Sequence, residues 1–216
     1  MVRVRLVGPL RVYLDGRRAA DPPAGRAATL LALLAVEAGH LVPLDRIVED
    51  LWPDGAPAKA EQNVASLISR LRRIVGRESI QGGRGGYRLV VSEDLTTDVL
   101  DAEAAVAGAE AQLSAGGFVA AVGAARQALA ILEGGELLED DPYAAWAQGP
   151  RRRAELLTRK ARVCLWTAAL ALGDARTALD AAAAAAEADP FDEEAHRALM
   201  RAHHRRGDRG AALLAY

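Results

Sequence analysis

The chain has 216 residues, 51% of them hydrophobic and 26% charged, which is enough to bury two separate cores. One cysteine, Cys164, excludes an intrachain disulfide framework, and no stretch reaches the roughly eighteen apolar residues of a membrane span or opens the chain as an export signal. The formal charge of -2 hides an asymmetry: residues 1–97 hold 14 Lys or Arg against 11 Asp or Glu, the remainder 13 against 18. The basic surplus lies in the front half, as a nucleic-acid footprint would. The chain reads as cytoplasmic, with no membrane partner.

Val2, Val4 and Leu6 alternate with Arg3 and Arg5, and after Gly8-Pro9, Leu10, Val12 and Leu14 alternate with Arg11 and Tyr13. Period two predicts strands, Asp15-Gly16 predicts a hairpin, and Arg17 to Ala20 returns as a third short strand. Pro22-Pro23 ends this sheet. Arg26 to Ala38 places Ala27, Leu30, Leu31 and Leu34 on one helical face, with Gly39 as its stop. Leu44, Ile47, Val48 and Leu51 mark a second, short helix closed by Trp52-Pro53, and Asp54-Gly55-Ala56 leads into a third.

The third helix, Pro57 to Val75, has two incompatible faces. Val64, Leu67, Ile68, Leu71, Ile74 and Val75 recur at spacings of three and four and form a stripe that must be buried. Lys59, Gln62, Ser66, Ser69 and Arg73 fall opposite, with Asn63, Arg70 and Arg77 at the margin, and no carboxylate interrupts them. Cations of this kind neutralise phosphates, Gln, Asn and Arg pair with base edges, and a rod of about 28 Å fits a major groove. The competing reading is an ordinary solvated helix face. Beyond Gly76, Ile80 to Val91 reads as two strands around a glycine-rich tip, a wing with Arg84 reaching outward. A phosphate-cradling loop would need a following Gly-Lys-Ser/Thr and a helix, and one Arg-Gly-Gly unit is too short for an RNA-binding repeat.

These blocks resemble a family. Residues 1 to about 92 resemble the OmpR-type winged helix, and LVGPLRVYLDG, LLALLAVEAGHLVPLDRIVEDLW, VASLISRLRRIVG and GGYRLVV resemble its version in the SARP (AfsR-type) regulators of actinobacteria. The resemblance implies base-edge contacts at Gln62, Asn63, Ser66 and Arg70, backbone contacts at Ser69, Arg72 and Arg73, and a minor-groove contact at Arg84. Lys59 and Arg77 join Arg72 and Arg73 as phosphate contacts, and the loop Trp52 to Pro57, with Asp54, corresponds to the place where similar domains meet RNA polymerase. Two positions depart from the pattern: Pro43 stands where many relatives carry a capping Ser or Thr, and Arg84 precedes Tyr87 by three residues where four is common.

From Asp98 the chain is Ala-rich, Leu-rich and helical. Helices are predicted over Asp98 to Ala115, Phe118 to Leu132, Asp141 to Leu172 with an interruption near Gly149-Pro150, Asp174 to Ala188, Glu193 to Arg206, and Asp208 onward. Leu172-Gly173-Asp174 and Arg206-Gly207-Asp208 repeat at 34 residues, the period of a tetratricopeptide pair, which exposes a protein-binding surface rather than a catalytic pocket. The run Ala181 to Ala186 predicts close helix packing. AILEGGELLEDDPYAAWA, ADPFDEEAHRALMRAHHRRGD and AALLAY resemble the bacterial transcriptional activator domain that follows the winged helix in these regulators. His196, His203 and His204 lack the carboxylate or thiolate geometry of a metal site, and no nucleophile-elbow, Walker or zincin pattern occurs, so neither catalysis, metal nor cofactor is expected.

The expected fold is mainly α with a small β component: an OmpR-type winged helix-turn-helix over 1–95 followed by an all-α tetratricopeptide-like domain over 96–216. The expected function is a sequence-specific transcriptional activator that reads double-stranded promoter repeats and recruits RNA polymerase holoenzyme, with a second protomer as a further partner. The alternative is a protein-interaction module of a larger regulator whose winged helix is not promoter-selective. Ala211 to Tyr216 stop within a predicted helix, which favours a chain cut short there or one whose last repeat is completed otherwise.

Overall fold

The computed structural model describes residues 1–19 and 21–215. The chain divides into two compact units, one holding Met1–Asp101 with Gly134–Arg153, the other Ala102–Glu133 with the residues from Ala154 onward.

In the first unit the alternating segments form β1 (Val2–Arg5) and β2 (Arg11–Leu14), antiparallel with Val4 opposite Val12, both buried. Asp15 and Gly16, at φ 48° and 78°, turn the chain into β3 (Arg17–Arg18). That strand is shorter than the return expected to Ala20, which lies outside the described residues. Helix α1 (Arg26–Val36) buries Leu30, Leu31, Leu33 and Leu34 and stops two residues before the expected Ala38, where Glu37 caps it. Val42–Pro43 form β4, and Pro43 leads directly into α2 (Leu44–Leu51) with no side-chain cap. Asp45 in the first turn supplies the negative charge a helix start favours. Helix α3 covers Ala60–Val75. It starts three residues after the expected Pro57, because Pro57–Lys59 close a turn through the Ala60 N–H to Pro57 O bond at 3.0 Å.

Strands β5 (Ile80–Gly83) and β6 (Gly86–Leu89) make the wing, and β4 pairs with the free edge of β6 to give the order β4-β6-β5. Strand β7 (Leu95–Thr97) runs parallel to β1 and completes a second sheet, β3-β2-β1-β7. Neither β4 nor β7 was visible in the sequence periodicity. Directly after β7, the buried Asp98 carboxylate accepts N–H bonds from Leu6 at 2.9 Å, Val7 at 3.0 Å and Val99 at 3.0 Å. Burial pushes its carboxyl above the ordinary range, while those three donors and Arg5 pull it back. Gly134–Arg153 belong to this unit too: Gly8 N–H donates to Glu136 O at 2.8 Å and Leu138 N–H to Leu6 O at 2.9 Å. The Arg151 guanidinium donates to the carbonyls of Leu137, Leu138, Asp141 and Pro142 and so folds this segment around itself.

Helical elements continue with α4 (Asp98–Ser114), α5 (Phe118–Leu132), α6 (Gln148–Leu172), α7 (Ala175–Ala188), α8 (Glu193–Arg205) and α9 (Arg209–Leu214). The helix expected from Asp141 begins only at Gln148, after a 3-10 turn at Ala145–Ala147. Gly149-Pro150 therefore do not interrupt a helix. They sit in its first turn, where the missing proline N–H leaves no bond unmade.

In the second unit buried alanines, among them Ala109, Ala125, Ala169, Ala182 and Ala202, let helix axes approach closely, and Leu129, Cys164, Leu165 and Trp166 fill the remaining space. Burial pushes the Cys164 thiol up. The 34-residue repeat has a physical basis: Gly173 and Gly207 turn at φ 80° and 78°, and Asp174 and Asp208 each cap the next helix by accepting the N–H three residues on at 3.0 Å. His196 places its ring nitrogens 3.2 and 3.0 Å from the carbonyl oxygens of Ala215 and Pro190, a structural use of that side chain. Among the described residues no helix is long and apolar enough to cross a membrane.

Asp192 caps α8 through Glu194 N–H at 3.0 Å and Ala195 N–H at 3.2 Å, and receives the Arg159 fork at 2.8 and 3.1 Å. The Arg159 bonds hold its carboxyl below the ordinary 3.8. Its contribution to folding is therefore complete above that value and is lost as pH falls through the lower folded-state value. Asp192→Asn keeps a capping oxygen but loses the ion pair. The expected loss at neutral pH is about 1 kcal/mol, given the half-exposed arginine. Urea midpoints across pH should show that deficit shrinking below 3.8, and a deficit independent of pH would remove the assignment.

Candidate nucleic-acid interface

Helix α3 is fixed from behind. Val64, Ile68, Leu71 and Val75 are buried and Leu67 and Ile74 half-buried, and the helix packs on α1, α2 and β5. Burying such a stripe contributes about 1.5 to 3 kcal/mol per large side chain, which sets the rotation of the helix about its axis. That rotation leaves Gln62, Asn63, Ser66, Ser69, Arg70 and Arg73 exposed. Lys59, just before the helix, and Arg77, just after Gly76 at φ 101°, are exposed as well. None of these cations has a carboxylate within 4 Å among the described residues.

Three side chains carry structural commitments that spacing alone did not disclose. Ser66 Oγ donates to Gln62 O at 2.9 Å, so its hydroxyl proton is used within the helix and its lone pairs face outward. Arg72 is half-buried and donates Nε to Ile80 O at 3.0 Å, tying α3 to the wing and leaving its terminal nitrogens for any outside partner. Arg70 and Arg73 line a shallow hollow of about 420 Å³ with Ile74, Leu14, Ala19 and Asp21, so a carboxylate stands near the basic face.

The wing tip presents Arg84, exposed between Gly83 and Gly85. Beside it Arg88 donates to Gln81 Oε1 at 2.9 Å across β5 and β6, an exposed cation and amide that the glycine-centred reading passed over. Gly86, at φ 133°, brings the wing so close to β4 that a Cβ there would lie 2.2 Å from Val42 O. At the other end of α3, the Arg26 guanidinium stacks over Trp52 at 5.4 Å and holds the start of the α2–α3 loop. That loop borders a groove of about 600 Å³ rimmed by Asp45, Glu49 and Glu61, three exposed carboxylates. Asp54 is exposed in the same loop but does not line the groove. The spacing of Asp45 and Glu49 on α2 was the signal for this acidic rim, which a search for basic residues overlooks.

Residues 97–216 match the bacterial transcriptional activator domain. Over 215 residues the chain is 28% identical to regulatory protein AfsR of Streptomyces coelicolor, covering 100% of this chain and 21% of AfsR. It is 26% identical over 149 residues to regulatory protein DnrI of Streptomyces peucetius, covering 64% of this chain and 54% of DnrI. The solved structure of Mycobacterium tuberculosis EmbR in complex with a low-affinity phosphopeptide superposes with a TM-score of 0.84 at 25% identity, covering 100% of this chain and 57% of EmbR. The chain thus spans about a fifth of the length of AfsR. A winged helix, tetratricopeptide-like helices and a domain match across more than half of the sequence converge: the chain belongs to the SARP (AfsR-type) family of transcriptional regulators.

Proposed function

We propose that this chain is a sequence-specific activator that lays α3 in the major groove of promoter DNA and sets Arg84 of the wing against the adjacent minor groove. The observation that carries the reading is the exposed row of amide, hydroxyl and guanidinium side chains on α3 from Gln62 to Arg73, held outward by the buried stripe behind it. Gln62, Asn63, Ser66 and Arg70 read base edges, while Lys59, Ser69, Arg72, Arg73 and Arg77 hold phosphates. The reading function resides in residues 1–95, and the helices beyond support pairing of protomers on DNA. The Trp52–Pro57 loop, through its exposed Asp54, meets RNA polymerase, and the protein acts in the cytoplasm.

The test is fluorescence anisotropy against duplexes selected from the source genome. Arg70→Ala is expected to cost about 1 to 3 kcal/mol on the selected duplex and to relax discrimination at one position. Arg73→Ala weakens every duplex alike and lowers the salt slope by about one. If neither variant alters binding, or if the chain retains no duplex selectively, the proposal fails and a protein-interaction role for the winged helix takes its place.

A further inference from the structure

The helical unit carries a second cationic site, independent of the DNA-reading face. Between α6 and α8 lies a groove of about 640 Å³ whose accessible apolar part is Leu170 and Ala171 of α6, beside the buried Trp166 and Ala198. Arg197, Arg201 and Arg205 line it from α8, spaced at four residues and so stacked on one side of the helix at intervals of about 6 Å. All three are exposed. Arg197 pairs with Glu193 at 2.6 Å, and Glu194, the one carboxylate of the groove among the described residues, is held by Arg159 at 3.1 Å. Arg201 and Arg205 have no carboxylate within 4 Å among the described residues. The groove therefore combines unneutralised guanidinium groups with an apolar floor, in a volume typical of ligand sites.

We propose that this groove binds an extended acidic peptide segment of a partner protein. In an extended chain, carboxylates at alternate residues lie on one side about 6.6 Å apart, which matches the spacing of the arginines along α8. Each carboxylate can receive a forked, charge-assisted pair of N–H bonds from one guanidinium. Successive side chains of an extended chain point to opposite sides, so the apolar residues between the carboxylates turn away from α8 toward Leu170 and Ala171 of α6, where burial adds affinity that charge alone does not supply. A nucleic-acid duplex, the other polyanion, is gripped through its phosphates and has no use for an apolar floor between α-helices.

The probe is a short fluorescein-labelled peptide alternating Glu and Leu, titrated into the full chain and followed by anisotropy. Binding should fall about tenfold when Gln replaces Glu or Ser replaces Leu, and at least tenfold in the double variant Arg201→Glu, Arg205→Glu. Both side chains are exposed, so that variant should keep the wild-type melting temperature; if it does not, Arg201→Gln with Arg205→Gln serves in its place. Arg73→Ala, on the DNA-reading face, should leave peptide binding unchanged, which separates this site from the proposed DNA function. Equal binding of the Gln peptide, or retention of binding in the double variant, overturns the proposal. So does displacement of the peptide by a duplex of random sequence whose own binding is lost in the double variant, because the groove would then belong to nucleic acid.

Discussion

Replacing Asp98 by alanine is expected to destabilise the first unit by about 4 kcal/mol, since three N–H groups lose their acceptor and each unsatisfied buried donor costs about 1 to 3 kcal/mol. Leu6, Val7 and Val99 lie in the interior, so water cannot take over the role of the carboxylate. Against a total of about 5 to 15 kcal/mol for a domain, such a loss leaves the first unit marginal. Asp98→Asn should recover part of the loss, because its amide oxygen can still accept from Leu6 and Val99 while its NH2 is left facing the Val7 donor. Asp101→Ala is the control: its carboxylate pairs with Arg3 and with Thr96 Oγ1 at the surface, and the expected cost is below about 1 kcal/mol. Denaturant unfolding measures both, and an Asp98→Ala midpoint indistinguishable from that of Asp101→Ala would refute the role assigned to Asp98.

The second large effect is expected at Gly86. An alanine Cβ would stand 2.2 Å from Val42 O and 2.9 Å from Pro43 Cα, on a backbone at φ 133° that L side chains rarely adopt. Neither obstacle is a flexible side-chain end, so β4 must part from β6. Overpacking and backbone strain together cost about 3 kcal/mol, or roughly 6 to 12 °C of melting temperature for a chain of this size. Gly86→Ala should also weaken the proposed DNA binding by displacing the wing that carries Arg84. Gly85→Ala, one residue away with open space around its Cβ, should change stability by less than about 0.5 kcal/mol. Equal melting temperatures for the two variants would show that the close approach is not a constraint in solution.

What the sequence disclosed and what it withheld divide along the reach of the interactions. The strands at Val2–Arg5 and Arg11–Leu14, the apolar stripe of α3 and the helix starts at Asp174 and Asp208 are visible because each signal lies within a few residues of its effect. Strand β7 is three residues long and gains its partner, β1, from more than ninety residues away, while β4 is two residues ending in proline. Neither has enough length for periodicity to register. At the candidate site, the residues of α3 that face outward followed from helical angle alone. The divided role of Arg72 did not, because it depends on where β5 passes the helix, and the acidic rim at Asp45, Glu49 and Glu61 needed the loop in place before its members could be seen together.

The return of Gly134–Arg153 to the first unit has a consequence for biosynthesis. Gly8 and Leu6 wait for Glu136 and Leu138, and Leu10 N–H for Asp140 Oδ2 at 2.7 Å, so the amino-terminal sheet finds these partners only after some 130 further residues have left the ribosome. Ala102–Glu133 emerge in the interval, and the two units mature in interleaved order. A nascent chain arrested before Arg153 has emerged should therefore remain protease-sensitive at its first sheet.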